Sequence, residues 1–251
     1  MCSRGHAFDI ARSGYVNLLQ PQDRRSRRAG DTAAAVQARA RTMAAGIGRL
    51  ILVDYVQRAA SLAMSDPASV VDLGSGTGDA LDALSHARPI DGIGIDLSPA
   101  AADYAARRFP SLTWVVANAD RRLPLLDRAV DLVISLHGRR NPAECARILK
   151  PGGFVVIAVP ARDDLLELRA WVQGRAVERD RTEAVQADHE ALFTLVDCWS
   201  VRERPRLERD ALADLLRGTY RGERAGEAGR VDALATLDVT LASDFLLFGT
   251  R

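Results

Sequence analysis

The sequence predicts an α/β protein with a Rossmann-like, doubly wound sheet of seven strands. Three observations support this prediction. From residue 69 onward, short apolar runs alternate with helical segments, a pattern typical of parallel strands covered on both faces. A glycine-rich turn follows the first apolar run, and acidic residues follow the next two. The chain of 251 residues, 47% of them hydrophobic, is long enough to bury the core of one such domain.

Residues 1–65 are expected to form a small amino-terminal lobe, and residues 66–251 the sheet domain. The first 30 residues are polar and include an arginine-rich run over residues 24–28. The chain is then rich in helix formers, and either Asp31 or Thr32 can cap a helix that starts at Ala33. Apolar residues at helical spacing predict a second helix over residues 47–64.

The elements of the sheet domain are predicted from apolar runs, helix caps and turns. Ser98 and Pro99, for example, form a typical helix start. The strands are expected at 70–73, 93–96, 112–117, 130–136, 154–159, 195–201 and 237–248. The helices are expected at 79–87, 99–109, 142–149 and 164–177. The last strand is expected to run antiparallel to the others.

The turn after the first strand of the sheet is the most informative segment of the chain. Three alternate glycines, Gly74, Gly76 and Gly78, follow Asp72 closely. Glycine lets the backbone turn sharply and approach a ligand, which the first amides of the next helix then face. Asp96 ends the following strand, where a carboxylate can accept hydrogen bonds from both hydroxyls of a ribose.

The glycine spacing is G-x-G-x-G, whereas dinucleotide enzymes prefer G-x-G-x-x-G. With its preceding acid, the segment resembles the first motif of class I S-adenosylmethionine (SAM)-dependent methyltransferases. The L-K-P-G-G turn over residues 149–153 also resembles that superfamily. The resemblance implies SAM as cofactor and S-adenosylhomocysteine (SAH) as product. A nicotinamide dehydrogenase and a non-catalytic SAM-binding protein are the alternatives, and the glycine spacing disfavours the dehydrogenase.

The same resemblance indicates which residues contact the cofactor and the methyl acceptor. The expected cofactor-binding residues are Asp72, Gly74, Ser75, Gly76, Gly78, Asp96, Leu97, Ala119, Asp120 and Leu136. His137 follows the fourth strand, and its ordinary pKa near neutrality suits a catalytic base; the alternative is a hydrogen-bonded surface histidine. Tyr15 could stack on a flat acceptor ring or orient it, or it could simply pack within the amino-terminal lobe. Trp171, on the helix after the fifth strand, could also form a wall of the pocket, but it is expected to pack in the core.

A closer resemblance rests on the segment G-H-A-F-D-I-A-R-S-G-Y-V-N-L-L over residues 5–19. Gly30-Asp31, Gln37-Ala38-Arg39 and Arg140-Asn141-Pro142 add to it. Together these residues resemble the 23S rRNA guanine-N1 methyltransferases of the RlmA type, including their macrolide-resistance relatives. The resemblance covers nearly the whole chain and implies methyl transfer to a ring nitrogen of guanine.

The RlmA resemblance also implies a zinc module at the amino terminus, made of a C-x-x-C pair and a second pair of Cys and His. Cys2 and His6 match the second pair, and nothing in the sequence supplies the first. Structural zinc needs about four ligands, so we expect no bound metal; a zinc knuckle upstream of this sequence is the alternative. Cys145 and Cys198 are expected to be buried as small side chains.

The acceptor side departs from the family pattern. Residues 136–139 read L-H-G-R where the family has an aromatic-Ala-Pro pattern, and residues 177–179 read V-E-R where it tends to have histidine. These departures and the incomplete zinc module favour methylation of a ring nitrogen or carbon of a planar small molecule, such as an indole-type natural product. The alternative is 23S rRNA, with antibiotic resistance as one outcome. The amino-terminal segment favours it, and the arginine-rich run could hold phosphates.

Composition narrows the setting in which the protein works. The formal charge of +1 excludes a strongly cationic nucleic-acid coat protein but leaves room for a local basic face. No apolar run reaches the ~20 residues of a membrane span, and the amino terminus lacks the apolar core of a signal peptide. Three scattered cysteines do not make a disulfide framework. We therefore expect a cytoplasmic protein without membrane contact, and the sequence leaves open whether it forms a dimer.

Overall fold

The computed structural model describes residues 8, 10–19, 30–174, 180–219 and 234–251. Four features of the sequence lie outside these residues: Cys2, His6, the arginine-rich run over 24–28 and the V-E-R segment at 177–179. The described part of the chain contains ten strands and eight helices.

Eight of the described strands form one sheet, and two short strands form a separate pair. The strands are β1 (Val16–Asn17), β2 (Ala68–Leu73), β3 (Ile90–Asp96), β4 (Thr113–Val116), β5 (Val130–Leu136), β6 (Leu149–Pro160), β7 (Phe193–Glu203), β8 (Arg206–Glu208), β9 (Thr236–Asp238) and β10 (Leu241–Thr250). The order in the large sheet is β1-β4-β3-β2-β5-β6-β10-β7, and β8 pairs with β9. The strands from β1 to β6 pair in parallel, and β10 is antiparallel to both β6 and β7. This arrangement confirms the predicted doubly wound α/β fold and its antiparallel last strand.

The helices connect the strands and cover the sheet. They are α1 (Ala33–Ala44), α2 (Arg49–Ala60), α3 (Asp79–Ala87), α4 (Pro99–Arg108), α5 (Pro142–Ile148), α6 (Leu166–Gln173), α7 (Thr182–His189) and α8 (Arg209–Arg217). Three of them begin at a side-chain cap: the oxygens of Thr32, Ser98 and Asn141 accept backbone N–H groups of α1, α4 and α5. Of the two caps the sequence allowed for α1, the structure has Thr32. None of the described helices is both long and apolar enough to span a membrane.

The sheet has eight strands rather than the predicted seven. The additional strand, β1, has only two residues, too few to produce a periodic pattern, and it pairs with the outer edge of β4. The predicted strand at 237–248 is divided into β9 and β10, because residues 236–238 pair with β8 instead of the large sheet. The elements α7, β8 and α8 were not anticipated from the sequence.

Two side chains expected in the interior lie at the surface. Cys198 is exposed because it points outward from β7, the edge strand of the sheet. Trp171 lies on α6 and is 48% exposed, so it does not pack in the core. Cys145, by contrast, is buried as expected, and burial raises the pKa of its thiol to about 12, so it stays protonated and unreactive.

Tyr55 of α2 joins the amino-terminal helices to the centre of the sheet. Its ring is fully buried against Phe245. The hydroxyl donates to the carbonyl of Val156 on β6 (3.1 Å) and accepts the N–H of Ser135 on β5 (2.9 Å). Burial, and then the charge of Asp72, raise the pKa of Tyr55 well above its ordinary value. The hydroxyl is therefore a neutral bridge that satisfies two buried backbone groups where β5 and β6 meet.

We predict that Tyr55→Phe lowers the free energy of unfolding by about 1–3 kcal/mol, since it leaves one buried N–H and one buried carbonyl without this partner. Urea denaturation with an unchanged m-value would measure the loss. Tyr104→Phe, on the partly exposed face of α4, is the matched control and should change stability by less than about 0.5 kcal/mol. Equal effects of the two substitutions would contradict the bridging role.

Candidate active site

The glycine turn between β2 and α3 has the backbone geometry that the sequence predicts. Gly74, Gly76 and Gly78 have φ angles of +76°, +52° and +86°, in the left-handed region that favours glycine. A Cβ atom on Gly74 would lie 2.9 Å from the Cα of Gly138, and one on Gly78 would lie 2.5 Å from the ring of Trp114. The turn is therefore packed tightly against Gly138 and Trp114, and its shape requires glycine.

Asp96, at the end of β3, anchors this turn. One of its carboxylate oxygens accepts the N–H of Gly76 and the other accepts the N–H of Ser98, each at 2.8 Å. Burial raises the pKa of Asp96, and the two backbone N–H groups partly offset that effect. Because each oxygen has further acceptor capacity, the fixed carboxylate can still receive two hydroxyl groups of a ribose.

Asp72, on β2, is a buried acid that lacks a full set of partners. The residue is 2% exposed, and its Oδ1 atom accepts no hydrogen bond from the described residues. Burial, and then the nearby charge of Asp96, raise the pKa of Asp72 to about 8. A buried carboxyl group of this kind is costly to ionise unless a cation meets it. The ammonium group of a methionine moiety supplies such a cation, so the site fits SAM.

Arg39, on α1, lies beside the glycine turn. Its Nη1 atom is 2.6 Å from Asp31 and lies 3.2 Å from where a Cβ atom on Gly76 would be. Its Nη2 atom donates to the carbonyl of Gly218 at the end of α8 (2.8 Å). Beyond the family resemblance, no local sequence pattern predicts a role for Arg39, because only the packing of α1 brings it to the turn. A guanidinium has five N–H donors, so it retains donors for a carboxylate ligand.

The loops after β4 and β5 carry the remaining residues that are expected to contact the cofactor. The side chain of Asn141 donates to the carbonyl of Ala119 (3.1 Å) and so ties the two loops together. Ala119 is buried, whereas Asp120 is exposed and lies 3.6 Å from the guanidinium of Arg139. Of the other expected contacts, Ser75, Leu97 and Leu136 are each partly buried next to the turn or at the end of a strand.

His137 follows β5 at the carboxyl edge of the sheet, on the side away from Asp96. Its backbone is in the left-handed region at φ +57°, which is uncommon for a residue other than glycine. The residue keeps contact with solvent, while its Nε2 atom lies 2.8 Å from the hydroxyl of Ser243 on β10. Burial of the imidazole, and then the charges of Arg39 and Arg181, lower the pKa of His137. The imidazole is therefore neutral at physiological pH.

Tyr15 lies on the opposite flank of the site. It is partly buried and packs with a small cluster that contains Leu19, Ala102 and Val116, with Leu97 beside it. This position is next to the strand end that carries Asp96. Packing in this cluster accounts for its burial, and its predicted contact with the acceptor stays a prediction. Among the described residues, no three His, Cys, Asp or Glu side chains are grouped so that they could hold a metal ion.

Two regions of the chain match known protein families. Residues 70–153 match the family described as "Methyltransferase domain", a range that contains the glycine turn, Asp96 and His137. Residues 1–27 match the family described as "RlmA, N-terminal", a zinc ribbon. The second match lies mostly outside the described residues, so the state of Cys2 and His6 stays a prediction.

Similar proteins extend these matches. The chain is 37% identical over 216 residues to the 23S rRNA (guanine(748)-N(1))-methyltransferase of Streptomyces fradiae, covering 84% of this chain and 75% of that protein. It is 35% identical to a Micromonospora griseorubida protein provisionally named a 23S rRNA (guanine-N(1)-)-methyltransferase, covering 66% of this chain but only 60% of the relative.

A solved structure supports the fold. It is the SAM-dependent methyltransferase of Thiobacillus denitrificans in complex with SAH, which is 17% identical, with a TM-score of 0.50 over 79% of this chain and 91% of the other. The Streptomyces fradiae relative, which aligns with 84% of the chain, the two family matches and the glycine turn all support the same family assignment. The chain belongs to the RlmA-like family of class I SAM-dependent methyltransferases, and SAM is its cofactor.

Proposed function

We propose that the protein methylates the N1 atom of a guanine in 23S rRNA. The observation that carries the proposal is the 37% identity to an enzyme named for this reaction, which extends over 84% of the chain. The sequence alone favours a planar small molecule, with rRNA as the alternative, and the identity to this enzyme reverses that preference. A small heteroaromatic acceptor remains the second candidate because of the L-H-G-R segment at residues 136–139.

The proposed cofactor contacts follow from charge and position. Asp72 meets the ammonium of the methionine moiety, and Arg39 meets its carboxylate. Asp96 accepts the ribose hydroxyls, and Asp120 accepts the amino group of adenine. The remaining expected contacts, Gly74, Ser75, Gly76, Gly78, Leu97, Ala119 and Leu136, shape the walls of the pocket.

The chain's contribution to catalysis is mainly alignment. When bound, SAM supplies a methyl group that is already activated by a positively charged sulfur. Correct alignment of donor and acceptor can lower the barrier by roughly 7–11 kcal/mol. His137 and Tyr15 are proposed to contact the acceptor from opposite flanks of the cleft. A neutral His137 can exchange a hydrogen bond with an acceptor ring and keep it in line with the methyl group.

Labelled SAM and 23S rRNA test the proposed substrate. We expect label at N1 of a single guanine, mapped by a reverse-transcription stop, and no label with Asp96→Ala. RNA binding should weaken steeply with salt, with a log–log slope of about −0.7 to −0.9 per neutralised phosphate. Methylation of indole-bearing small molecules together with inert rRNA would refute the proposal and support the second candidate.

Cofactor binding should release a proton from Asp72. With a pKa of about 8, the carboxyl is roughly 90% protonated at pH 7 in the free protein, and pairing with an ammonium ionises it. Calorimetry of SAH binding in buffers of different ionisation enthalpy should therefore show release of nearly one proton at pH 7. Since protons compete with the ligand, affinity should rise by up to about tenfold per pH unit between pH 6 and 8.

Asp72→Asn is the matched variant for this measurement. It should bind SAH more weakly and release no proton, while Asp79→Asn, at the partly buried start of α3, keeps an oxygen that can accept the Thr77 hydroxyl and should behave as the unaltered protein. Proton release that persists in Asp72→Asn would assign the titration to another group.

The expectation that the protein holds no structural zinc is a separate proposal. Cys2 and His6 would supply two ligands, and a closed zinc site needs about four. We predict well below one equivalent of zinc in the purified chain by mass spectrometry, and no change in thermal stability with a chelator. One tightly held equivalent that disappears in Cys2→Ser would contradict the prediction.

A further inference from the structure

A second acidic group lies at the carboxyl edge of the sheet, on the acceptor side of the site. Asp164 follows β6 and precedes α6, and its side chain is only partly buried. Its Oδ1 atom accepts the N–H of Ala242 on β10 (3.0 Å). The next residue of β10, Ser243, contacts the ring of His137. Consecutive residues of one strand therefore hold Asp164 and His137 at the same edge.

The backbone is strained on both sides of this group. Among the described residues, three that are not glycine have positive φ angles, and two of them are His137 (+57°) and Leu165 (+53°), which directly follows Asp164. Such conformations are unfavourable for residues other than glycine, and they cluster at functional sites. The strained turns flank the edge at which Asp164 and His137 meet β10.

A structural explanation accounts for only part of the arrangement. The last residue of β6 is Pro160, which pairs with Ser243 of β10. The N–H of the preceding β10 residue, Ala242, donates to the Asp164 carboxylate instead. One acceptor oxygen would be enough for this purpose, and an amide could supply it. A carboxylate adds a second oxygen and a negative charge, in a position where the side chain retains contact with solvent.

We propose that Asp164 contacts the acceptor guanine and takes the proton from its N1 atom. This inference rests on the proposed function. The Watson–Crick edge of guanine presents adjacent N1–H and N2–H donors, which a carboxylate oxygen can accept. As the N1 proton moves to Asp164, the N1 electron pair forms a bond to the methyl carbon. The carbon–sulfur bond breaks with its electron pair going to sulfur, which leaves SAH, 1-methylguanine and a carboxylic acid that returns its proton to water.

The charges around Asp164 suit this role. Burial raises its pKa to about 6; the N–H of Ala242 and the charges of Arg169 on α6 and Arg181 before α7 lower it in part, and Asp163 raises it slightly. A carboxylate with a pKa near neutrality is ionised at pH 7.5 and is a stronger base than an ordinary one. His137, whose pKa is lowered, is a weaker base than a typical histidine. Arg181, whose charge acts on both groups, would also stabilise negative charge that develops on the ring as the proton leaves.

Asp164→Asn tests the proposal without removing the bond to Ala242, since the amide oxygen can still accept that N–H. We expect kcat for rRNA methylation to fall by about 10²-fold or more, with the SAH dissociation constant and thermal stability unchanged. Asp163→Asn is the matched control: the neighbouring carboxylate pairs with Arg202 at the surface, and its loss should leave kcat unchanged.

The pH profile separates a base from a structural group. At saturating SAM, which keeps Asp72 ionised, the unaltered enzyme should lose kcat/KM for rRNA about tenfold per pH unit below pH 6. This acidic limb should be absent from the residual activity of Asp164→Asn but retained in His137→Ala. Activity of Asp164→Asn within threefold of the unaltered enzyme, or an unchanged acidic limb, would overturn the proposal. If the unaltered enzyme does not methylate guanine, the proposed function fails and this inference fails with it.

Discussion

The carboxylate of Asp96 is the interaction on which the rest of the site depends. It accepts one backbone N–H from the glycine turn and one from the start of α4, so it fixes the ends of β2 and β3 relative to each other. The Ser98 hydroxyl, next to this carboxylate, donates to the carbonyl of Asp31 (2.6 Å) and holds the segment before α1. Cofactor-facing groups from three parts of the chain are thereby positioned before a ligand arrives, which limits the cost of ordering them on binding.

The cofactor side of the site is arranged around opposite charges. Asp72 lacks a cationic partner among the described residues, and Arg39 lies beside the glycine turn with N–H groups to spare beyond its contacts with Asp31 and Gly218. Burying a lone carboxylate is unfavourable, so the free protein keeps Asp72 largely protonated and ionises it when a cation is bound. The cost of removing the proton from Asp72 offsets part of the binding free energy of a zwitterionic ligand. Cofactor binding therefore depends on pH near neutrality.

The parts of the structure that the sequence predicts well are those with local causes. The bounds of α3 and β5 agree with the residues expected, because glycine turns, caps and apolar runs act within a few residues. Arg39, Asp164 and β1 gain their positions only from tertiary packing, so no local pattern marks them. The exposure of Cys198 has the same origin, since strand periodicity does not reveal that β7 lies at an edge.

The loop over residues 136–139, on the acceptor side of the site, has a sequence that packing explains in part. Its L-H-G-R sequence departs from the RlmA pattern, which motivated the small-molecule hypothesis. A Cβ atom on Gly138 would lie 2.1 Å from the carbonyl oxygen of Leu73. The Ser135 hydroxyl donates a hydrogen bond to the carbonyl of Arg139 (2.9 Å). The loop is thus in tight contact with the end of β2, where the glycine turn begins, and this contact requires glycine at position 138. That part of the departure does not by itself require a different acceptor, so the choice between substrates rests on the likeness to the guanine-N1 methyltransferase.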